Sequence, residues 1–236
     1  MKRYESVSQV DLTRRTPVIV RLDGKAFHTY SRRFKSSETP FSAQLHELMI
    51  QTTEGLLRTQ NCVFGYTQSD EISLLFRDWD TTETQAFFDY NVQKMVSVLA
   101  SDATAYFTGA LISYSYPDRL YSSDIPRFDA RVFNVPESDV VNYFVWRQQD
   151  AMRNSVQMLG QHVIGHKAIQ GLNNTAVKDT LVREYGTHWE SQPLWAQRGS
   201  CVNHSSEKEA CGIDRQIPVF TQDREYVARH LKVEND

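Results

Sequence analysis

The sequence lacks the features by which several classes of protein are recognised. It has no run approaching the roughly 20 apolar residues of a membrane-spanning helix, and its start, MKRYES, contains no apolar stretch like that of a signal peptide. Its three cysteines are an odd number without metal-ligand spacing. These absences predict a soluble, cytoplasmic protein that makes no membrane contact, because a reducing compartment keeps cysteines free.

Signatures of common catalytic sites are missing too. There is no Walker loop, Rossmann glycine fingerprint or Gly-x-Ser-x-Gly elbow, and the seven histidines follow no metal-binding spacing. A basic excess is also absent, since 26 Lys and Arg residues are set against 29 Asp and Glu residues, which gives a formal net charge of -3. This balance excludes a nonspecific nucleic-acid coat but still allows a local basic groove.

What is present is a chain of 236 residues with ordinary globular composition, long enough to bury a large core. In the first part of the chain, strand-like patterns alternate with helix-like patterns. Thr82, three residues before Gln85, resembles a capping box at the start of a helix. Periodicity and turn residues predict, in order, a strand at 18–23, a helix at 41–56, a hairpin at 62–76, a helix at 88–106 and a strand at 128–135. This order predicts an α+β fold of the ferredoxin-like βαββαβ plan, an antiparallel sheet with helices on one face.

The rest of the chain is less regular. A further helix is predicted from Ser138, as its cap, to Gly160, as its stop. Loops with short elements are expected from 171 to 206, and a partly ordered tail from 213 to 236. The whole chain is expected to form one compact unit.

Two acidic turns are predicted to meet at one edge of this sheet. The first strand ends in Asp23 and Gly24, and the hairpin turn carries Asp70 and Glu71. In the βαββαβ plan the first and third strands are central antiparallel neighbours, which places Asp23 beside Asp70. Close carboxylates repel unless a cation lies between them, and hard oxygen ligands suit Mg²⁺. The alternative is that both pairs only form turns.

Phosphate-binding groups are predicted around these carboxylates. Gly24 would allow close approach to the backbone, and free N–H groups at 25–30 would cradle a triphosphate. The basic residues at 32, 33 and 35 either hold phosphates or belong to a solvated loop. Arg147, Asp150 and Asn154 share one helical face, which is either functional or simply exposed.

Five segments then occur in a familiar order: 18–28 (VIVRLDGKAFH), 65–73 (GYTQSDEIS), 128–131 (FDAR), 146–150 (WRQQD) and 198–201 (RGSC). They resemble the motifs of the tRNA-His guanylyltransferase family, and most closely its bacterial, archaeal and phage guanylyltransferase-like members. The resemblance spans about residues 4 to 201. It implies a polymerase-type palm domain at 1–136 and a helical, loop-rich extension at 137–236 packed on the palm.

The resemblance also implies a set of site residues. Asp23, Asp70 and Glu71 would be the catalytic carboxylates, and two Mg²⁺ ions would bind Asp23, the Gly24 carbonyl and Asp70. Nucleotides would contact Lys25, Ala26, Phe27, His28, Ser69, Lys94, Arg131 and Lys167. The helix carrying Arg147, Asp150 and Asn154 would face RNA or a second nucleotide.

The implied reaction is a 3′-5′ polymerisation at the 5′ end of tRNA, by a nucleotidyltransferase that uses ATP and GTP or other NTPs. The RNA 5′ phosphate is first activated, usually by ATP, and the 3′-hydroxyl of an incoming nucleotide then attacks it. Both stages are in-line attacks on phosphorus, so one metal pair would serve both. The family further implies a homotetramer, a dimer of dimers.

Two departures from the eukaryotic pattern bear on the substrate. Met152 replaces a histidine linked to choosing tRNA-His, and 39–42 reads TPFS in place of a Lys-Pro-x-Asp element. Because methionine cannot donate those hydrogen bonds, templated repair of 5′-truncated tRNA is favoured over addition of a single G to tRNA-His. The remaining alternatives are a palm-type nucleotidyl cyclase and a non-catalytic RNA-binding module.

Overall fold

An antiparallel sheet organises the protein. The computed structural model describes residues 1–34, 36–60, 62–115, 121–204 and 211–232, which form six strands in the order β4-β1-β3-β2-β5-β6. The strands are β1 (Val18–Gly24), β2 (Phe64–Gln68), β3 (Glu71–Phe76), β4 (Phe128–Asn134), β5 (Ser200–His204) and β6 (Cys211–Asp214). Every neighbouring pair is antiparallel, and the first and third strands are neighbours, as predicted.

Helices cover both faces of this sheet. They are α1 (Lys2–Ser6), α2 (Phe27–Tyr30), α3 (Ala43–Thr59), α4 (Val92–Ser115), α5 (Glu137–Val163), α6 (Asn174–Tyr185), α7 (Leu194–Arg198) and α8 (Glu225–Ala228). Short 3-10 turns lie at Ser31–Phe34, Phe87–Tyr90, Trp189–Ser191 and Arg229–Leu231. The mixed class of helices on an antiparallel sheet is therefore confirmed.

Side-chain alternation along the strands assigns one core to each face. Val18, Val20 and Leu22 of β1 point towards α3 and α4. Ile19 points to the opposite face, where Phe144 of α5 packs. The carboxylate at 23 continues the Ile19 row, so the functional side chains of β1 lie on the α5 face.

Helix α4 begins later than the sequence predicted. No capping box forms at Thr82; instead the Asn91 side chain accepts a hydrogen bond from the Lys94 amide at 3.0 Å and caps the helix there. The sequence showed no membrane-spanning run, yet α4 satisfies a length and composition test for one. Length and composition alone are weak evidence for a membrane span, because helices in the core of a protein have the same properties. Leu99 and Phe107 of α4 are fully buried in the core.

Helix α5 differs from its prediction at both ends. It begins at Glu137, directly after Pro136, so Ser138 is not its cap. It continues through Gly160, because the missing side chain lets α6 approach: a Cβ there would lie 2.6 Å from Val177. Gly160 is thus a packing residue and not a helix stop.

The C-terminal part is more ordered than predicted. Residues 171–206 contain the 12-residue α6, and β5 and β6 extend the sheet beyond β2. In place of the expected partly ordered tail, Ile217, Phe220 and Val227 are fully buried on the α5 face. The sequence missed these strands because they are short and partly polar.

Candidate active site

A cleft of about 610 Å³ lies where β1 ends and β3 begins. It brings together Asp23, Asp70 and Glu71 from the sheet with side chains of α5. Arg147, Asp150 and Asn154, predicted to share a helical face, all line it. Ser69, Phe27 and His28 line it as well, so most of the predicted site residues do meet.

Strand register sets the spacing of the carboxylates. Asp23 pairs directly with Glu71 across β1 and β3, and the Gly24 amide donates to the Asp70 carbonyl at 3.0 Å. Ser69 adopts a left-handed conformation (φ 50°) at the turn, and its hydroxyl donates to Asp70 Oδ1 at 3.1 Å. The turn therefore presents Asp70 beside the end of β1.

The Asp23–Asp70 pair is electrostatically uncompensated. Burial, and secondly the charge of Asp23, raise the pKa of the Asp70 carboxyl. Among the described residues, no Lys, Arg or His forms a salt bridge with either aspartate. Such a pair fits a divalent cation.

The ligand set available to a metal is small. Across the described ranges, no group of three or more His, Cys, Asp or Glu side chains is arranged around a common point. A cation here would therefore draw on Asp23, Asp70 and the Gly24 carbonyl, with the remaining positions left to water and substrate phosphates. This pattern suits Mg²⁺, which is commonly held by one or two carboxylates and phosphate oxygens.

Glu71, in contrast, has a partner of its own. Arg147 Nε and Nη2 donate to its two carboxylate oxygens at 2.7 and 2.6 Å, and both side chains are over 90% buried. Burial raises the pKa of Glu71, and the bonds from Arg147 oppose that rise. Arg147 Nη2 also donates to Asp150 at 3.1 Å. The network ties α5 to β3 beside the aspartates.

The loop after β1 needs its glycine for packing. A Cβ on Gly24 would lie 2.3 Å from the Phe27 ring, which covers that position. The predicted row of free N–H groups is only partly available. The Lys25 amide donates to the Arg127 carbonyl at 2.8 Å, and those of Thr29 and Tyr30 donate to Ala26. Lys25 and Ala26 are themselves exposed.

Five of the eight predicted nucleotide contacts lie outside the lining of the cleft: Lys25 and Ala26, described above, and Lys94, Lys167 and Arg131. Lys94 is in the first turn of α4, about 20 Å of helix from Phe107, which touches Phe27 near the site. Lys167 is exposed beyond the end of α5. Arg131 is exposed on β4, directly opposite Arg21, a cleft residue.

The basic residues that follow β1, at 32, 33 and 35, differ in their surroundings. Arg33 pairs with Asp124 at 2.8 Å and lies over the Tyr30 ring, so it fixes the loop before β4. Arg32 is exposed, and Lys35 lies outside the described residues.

Comparison with known proteins places the chain in a family. The model of the tRNAHis guanylyltransferase (Thg1) family matches residues 1–136, more than half of the chain. The chain belongs to the tRNAHis guanylyltransferase family. The family's members are nucleotidyltransferases of tRNA processing, so this protein is a transferase of that class, and the resemblance seen in its motifs is confirmed.

Individual members of the family, including solved structures, are similar to this chain over most of its length. A bacterial tRNA-His guanylyltransferase-like protein in complex with ATP has a TM-score of 0.90 and 38% identity, covering 99% of this chain and 98% of its own. A second such structure, in complex with GTP, has a TM-score of 0.81 and 36% identity over 98% and 96%. The tRNA(His) guanylyltransferase of Eremothecium gossypii is 26% identical, covering 91% of this chain and 95% of its own.

In this family member, several residues in or beside the cleft escaped the sequence reasoning. Arg21 is two residues before Asp23 on the same face of β1, and Asp129 lies directly opposite Asp23. The alternation of side chains along β1 and the pairing of β1 with β4 are enough to place both residues beside Asp23. His46 and Trp195 stack in the cleft wall with ring centroids 4.6 Å apart. No sequence signal joins them, since they come from α3 and α7.

His46 is held as a neutral side chain. Burial lowers the pKa of its imidazole to about 4. Its Nε2 is hydrogen-bonded to the Ser200 hydroxyl at 2.9 Å. His46 therefore adds no charge to the cleft wall near neutral pH, in contrast to the carboxylates.

Proposed function

We propose that this protein extends the 5′ end of tRNA in the 3′-to-5′ direction, and that templated repair of truncated tRNA is its main reaction. The observation that carries the proposal is the uncompensated Asp23–Asp70 pair in the cleft. The complexes of the two bacterial relatives with ATP and with GTP support these nucleotides as substrates.

The proposed scaffold is a ferredoxin-like palm at 1–136 with the extension 137–236. The strand order β4-β1-β3-β2, connected by α3 and α4, supports this assignment. The palm brings the ends of β1 and β3 together, which is where the carboxylates lie. Solubility, a cytoplasmic location and assembly as a homotetramer stay predictions.

The proposed metal ligands are Asp23, the Gly24 carbonyl and Asp70. Two Mg²⁺ ions bound there would neutralise phosphate charge and favour in-line attack. Glu71 is a positioning residue in this scheme, since Arg147 occupies both of its oxygens. Arg21 and Arg131 would contact phosphates, and the loop with Ala26, Phe27 and His28 would pack against the nucleotide.

Each of the two proposed stages forms one bond to phosphorus and breaks another. The 5′ phosphate of the RNA attacks the α-phosphorus of ATP, forms an adenylylated 5′ end and releases pyrophosphate. The 3′-hydroxyl of the incoming NTP then attacks the RNA 5′ phosphorus and releases AMP. Both attacks occur on a charged phosphorus, so holding the reactants in line and neutralising charge supply most of the catalysis.

The surroundings of Met152 support templated repair over single-G addition. Met152 packs against the apolar cluster of Phe41 and Leu159 and does not line the cleft. It therefore offers no hydrogen bond to a particular tRNA at the position where the eukaryotic enzymes carry a histidine.

The proposal is tested by incubating the protein with Mg²⁺, ATP, all four NTPs and a tRNA that lacks its 5′ nucleotide. We expect 5′ extension that matches the opposing base, and its loss when that base is changed. Addition of G whatever the opposing base, and only to tRNA-His, would establish the single-G reaction instead. Formation of cyclic nucleotide without RNA would overturn the proposal.

A further inference from the structure

We propose that Trp146, with Arg21 and Arg131, forms a stacking platform for the 5′-terminal base of the RNA. The inference deepens the proposed function and rests on it. It assigns to Trp146 a substrate-binding role, and it places the RNA end between α5 and the edge strand β4.

Trp146 is unusual among the aromatic residues of α5. Phe144 is fully buried and Tyr143 nearly so, whereas Trp146 is 48% exposed. Its ring is held at its edge by Tyr143, in a T-shaped contact with centroids 6.0 Å apart. The guanidinium carbons of Arg147 and Arg21 lie over the ring, 4.5 and 5.9 Å from its centroid. A half-exposed indole that contacts cations in this way is a typical surface for extending a stack with a base.

The sheet beneath this ring carries two rows of like charge. Arg21 and Arg131 are directly opposite one another on β1 and β4, and so are Asp23 and Asp129. Like charges in directly opposite positions destabilise a sheet, so each row needs a counter-charge. Within the part of the chain that the structure describes, the one salt bridge of Arg131 is a weak one, to exposed Asp129 at 3.7 Å. A metal ion suits the aspartate row, and a phosphate suits the arginine row.

The spacing of the rows matches one continuous substrate. They are two residues apart along each strand, or about 7 Å. A phosphate held by the arginines would therefore lie next to the proposed metal site. Its base would then extend over the Trp146 ring, which lies beside Arg21.

The position of the platform favours RNA over a free nucleotide. Arg21 lines the cleft, but Trp146 and Arg131 lie outside its lining, towards the edge of the sheet formed by β4. A nucleotide bound wholly within the cleft lining would not contact Trp146 or Arg131, whereas a longer polymer whose end enters the cleft over that edge would.

The test compares Trp146→Ala and Trp146→Phe with Tyr185→Ala, which removes an aromatic ring of similar exposure (47%) on α6. The readouts are the KM for truncated tRNA, the KM for ATP, and quenching of tryptophan fluorescence on titration with tRNA. We expect Trp146→Ala to raise the KM for tRNA about tenfold, which is within the roughly 5- to 150-fold range that stacking of one base supplies. Trp146→Phe should restore most of the affinity while losing the share of the quenching that comes from residue 146, and Tyr185→Ala should change neither.

The outcomes separate this inference from the proposed function. An active wild type whose KM for tRNA is unchanged in Trp146→Ala would overturn the platform and leave the proposed function standing. A rise in the KM for ATP alone would assign the ring to the nucleotide and overturn the RNA assignment. A wild type without transfer to RNA would contradict the proposed function itself.

Discussion

We expect single residues where β1 ends and β3 begins to determine how the protein responds to Mg²⁺. Asp70→Asn removes one proposed ligand and keeps the size of the side chain, so we expect transfer to fall about a thousandfold, since bound metals supply several kcal/mol. Mg²⁺ at ten times its Kd should stabilise the wild type by about 1.4 kcal/mol and the variant not at all. Thermal unfolding with and without Mg²⁺ measures this. Asp179→Asn, at an exposed position of α6, is the matched control; a full Mg²⁺ response in Asp70→Asn would exclude the site.

The same carboxylate predicts a pH dependence of stability. Because burial and Asp23 raise the pKa of Asp70, the folded protein binds this proton at a higher pH than the unfolded chain does. The stability it contributes is complete below the ordinary pKa of aspartate and is lost as the pH rises through the raised value. With a chelator present, Asp70→Asn should therefore become more stable than the wild type as the pH approaches neutrality. Urea unfolding across that range measures the difference, and a difference independent of pH would refute the coupling.

How much of the site was predictable differs from residue to residue. Asp23 and Asp70 were found together because turn residues and strand order place them at one corner. The partner of Glu71 was not found, because Arg147 is distant in sequence and the helix face offered no reason to choose one strand over another. Phosphate contacts were hardest to place: Lys94 and Arg131 both came from motif resemblance, and only Arg131 lies beside a cleft residue.

Among the elements, α5 is attached to β3 by the buried Glu71–Arg147 pair. Arg147→Met leaves a buried carboxylate without its partner, so we expect a loss of about 3–5 kcal/mol in the free energy of unfolding. Adding Glu71→Gln should recover part of that loss, because the uncompensated charge is removed. A double-mutant cycle by urea unfolding measures the coupling. Additive losses from the two single variants would show that the pair does not connect the elements.

Strand β5 depends on a glycine at its start. Gly199 has φ 83°, and a Cβ there would lie 2.6 Å from the Thr67 carbonyl oxygen of β2. Gly199→Ala should therefore cost at least about 2 kcal/mol in unfolding free energy. Gly109→Ala on α4 is the matched control, because no atom of the described residues lies within 4 Å of its Cβ position. It should stabilise the protein by about 0.5–1 kcal/mol. Equal effects of both changes, measured by urea unfolding, would contradict this account.

Elements with strong periodicity were predicted well, and those fixed by tertiary contacts were not. The β-branched and apolar runs of β1 to β4 marked four strands correctly within a few residues. Gly160 stopped the predicted helix, but its close packing on α6 outweighs its poor helix propensity. β5 and β6 depend on pairing with β2 and with each other, which no local pattern reports.

At the scale of the whole molecule, the net charge does not indicate whether the protein binds a nucleic acid. The formal charge of -3 includes the carboxylates proposed to hold metal, while Arg21 and Arg131 lie opposite one another on β1 and the edge strand β4. Binding of RNA should therefore depend on a few contacts at one place. An unusually steep salt dependence, typical of extended basic surfaces, is not expected.

That expectation is measurable as the slope of log binding constant against log salt concentration for truncated tRNA. Each phosphate contact contributes roughly 0.7–0.9 to its magnitude, so a few contacts give a slope of about -2 to -4. Arg131→Gln should reduce the magnitude by about one contact. Arg183→Gln should not, because Arg183 is exposed on α6 away from the cleft lining and pairs with Glu184 at 2.8 Å. Equal slopes in the two variants would mean that RNA is bound through diffuse charge, and that the arginine row beside the carboxylates is not where its phosphates lie.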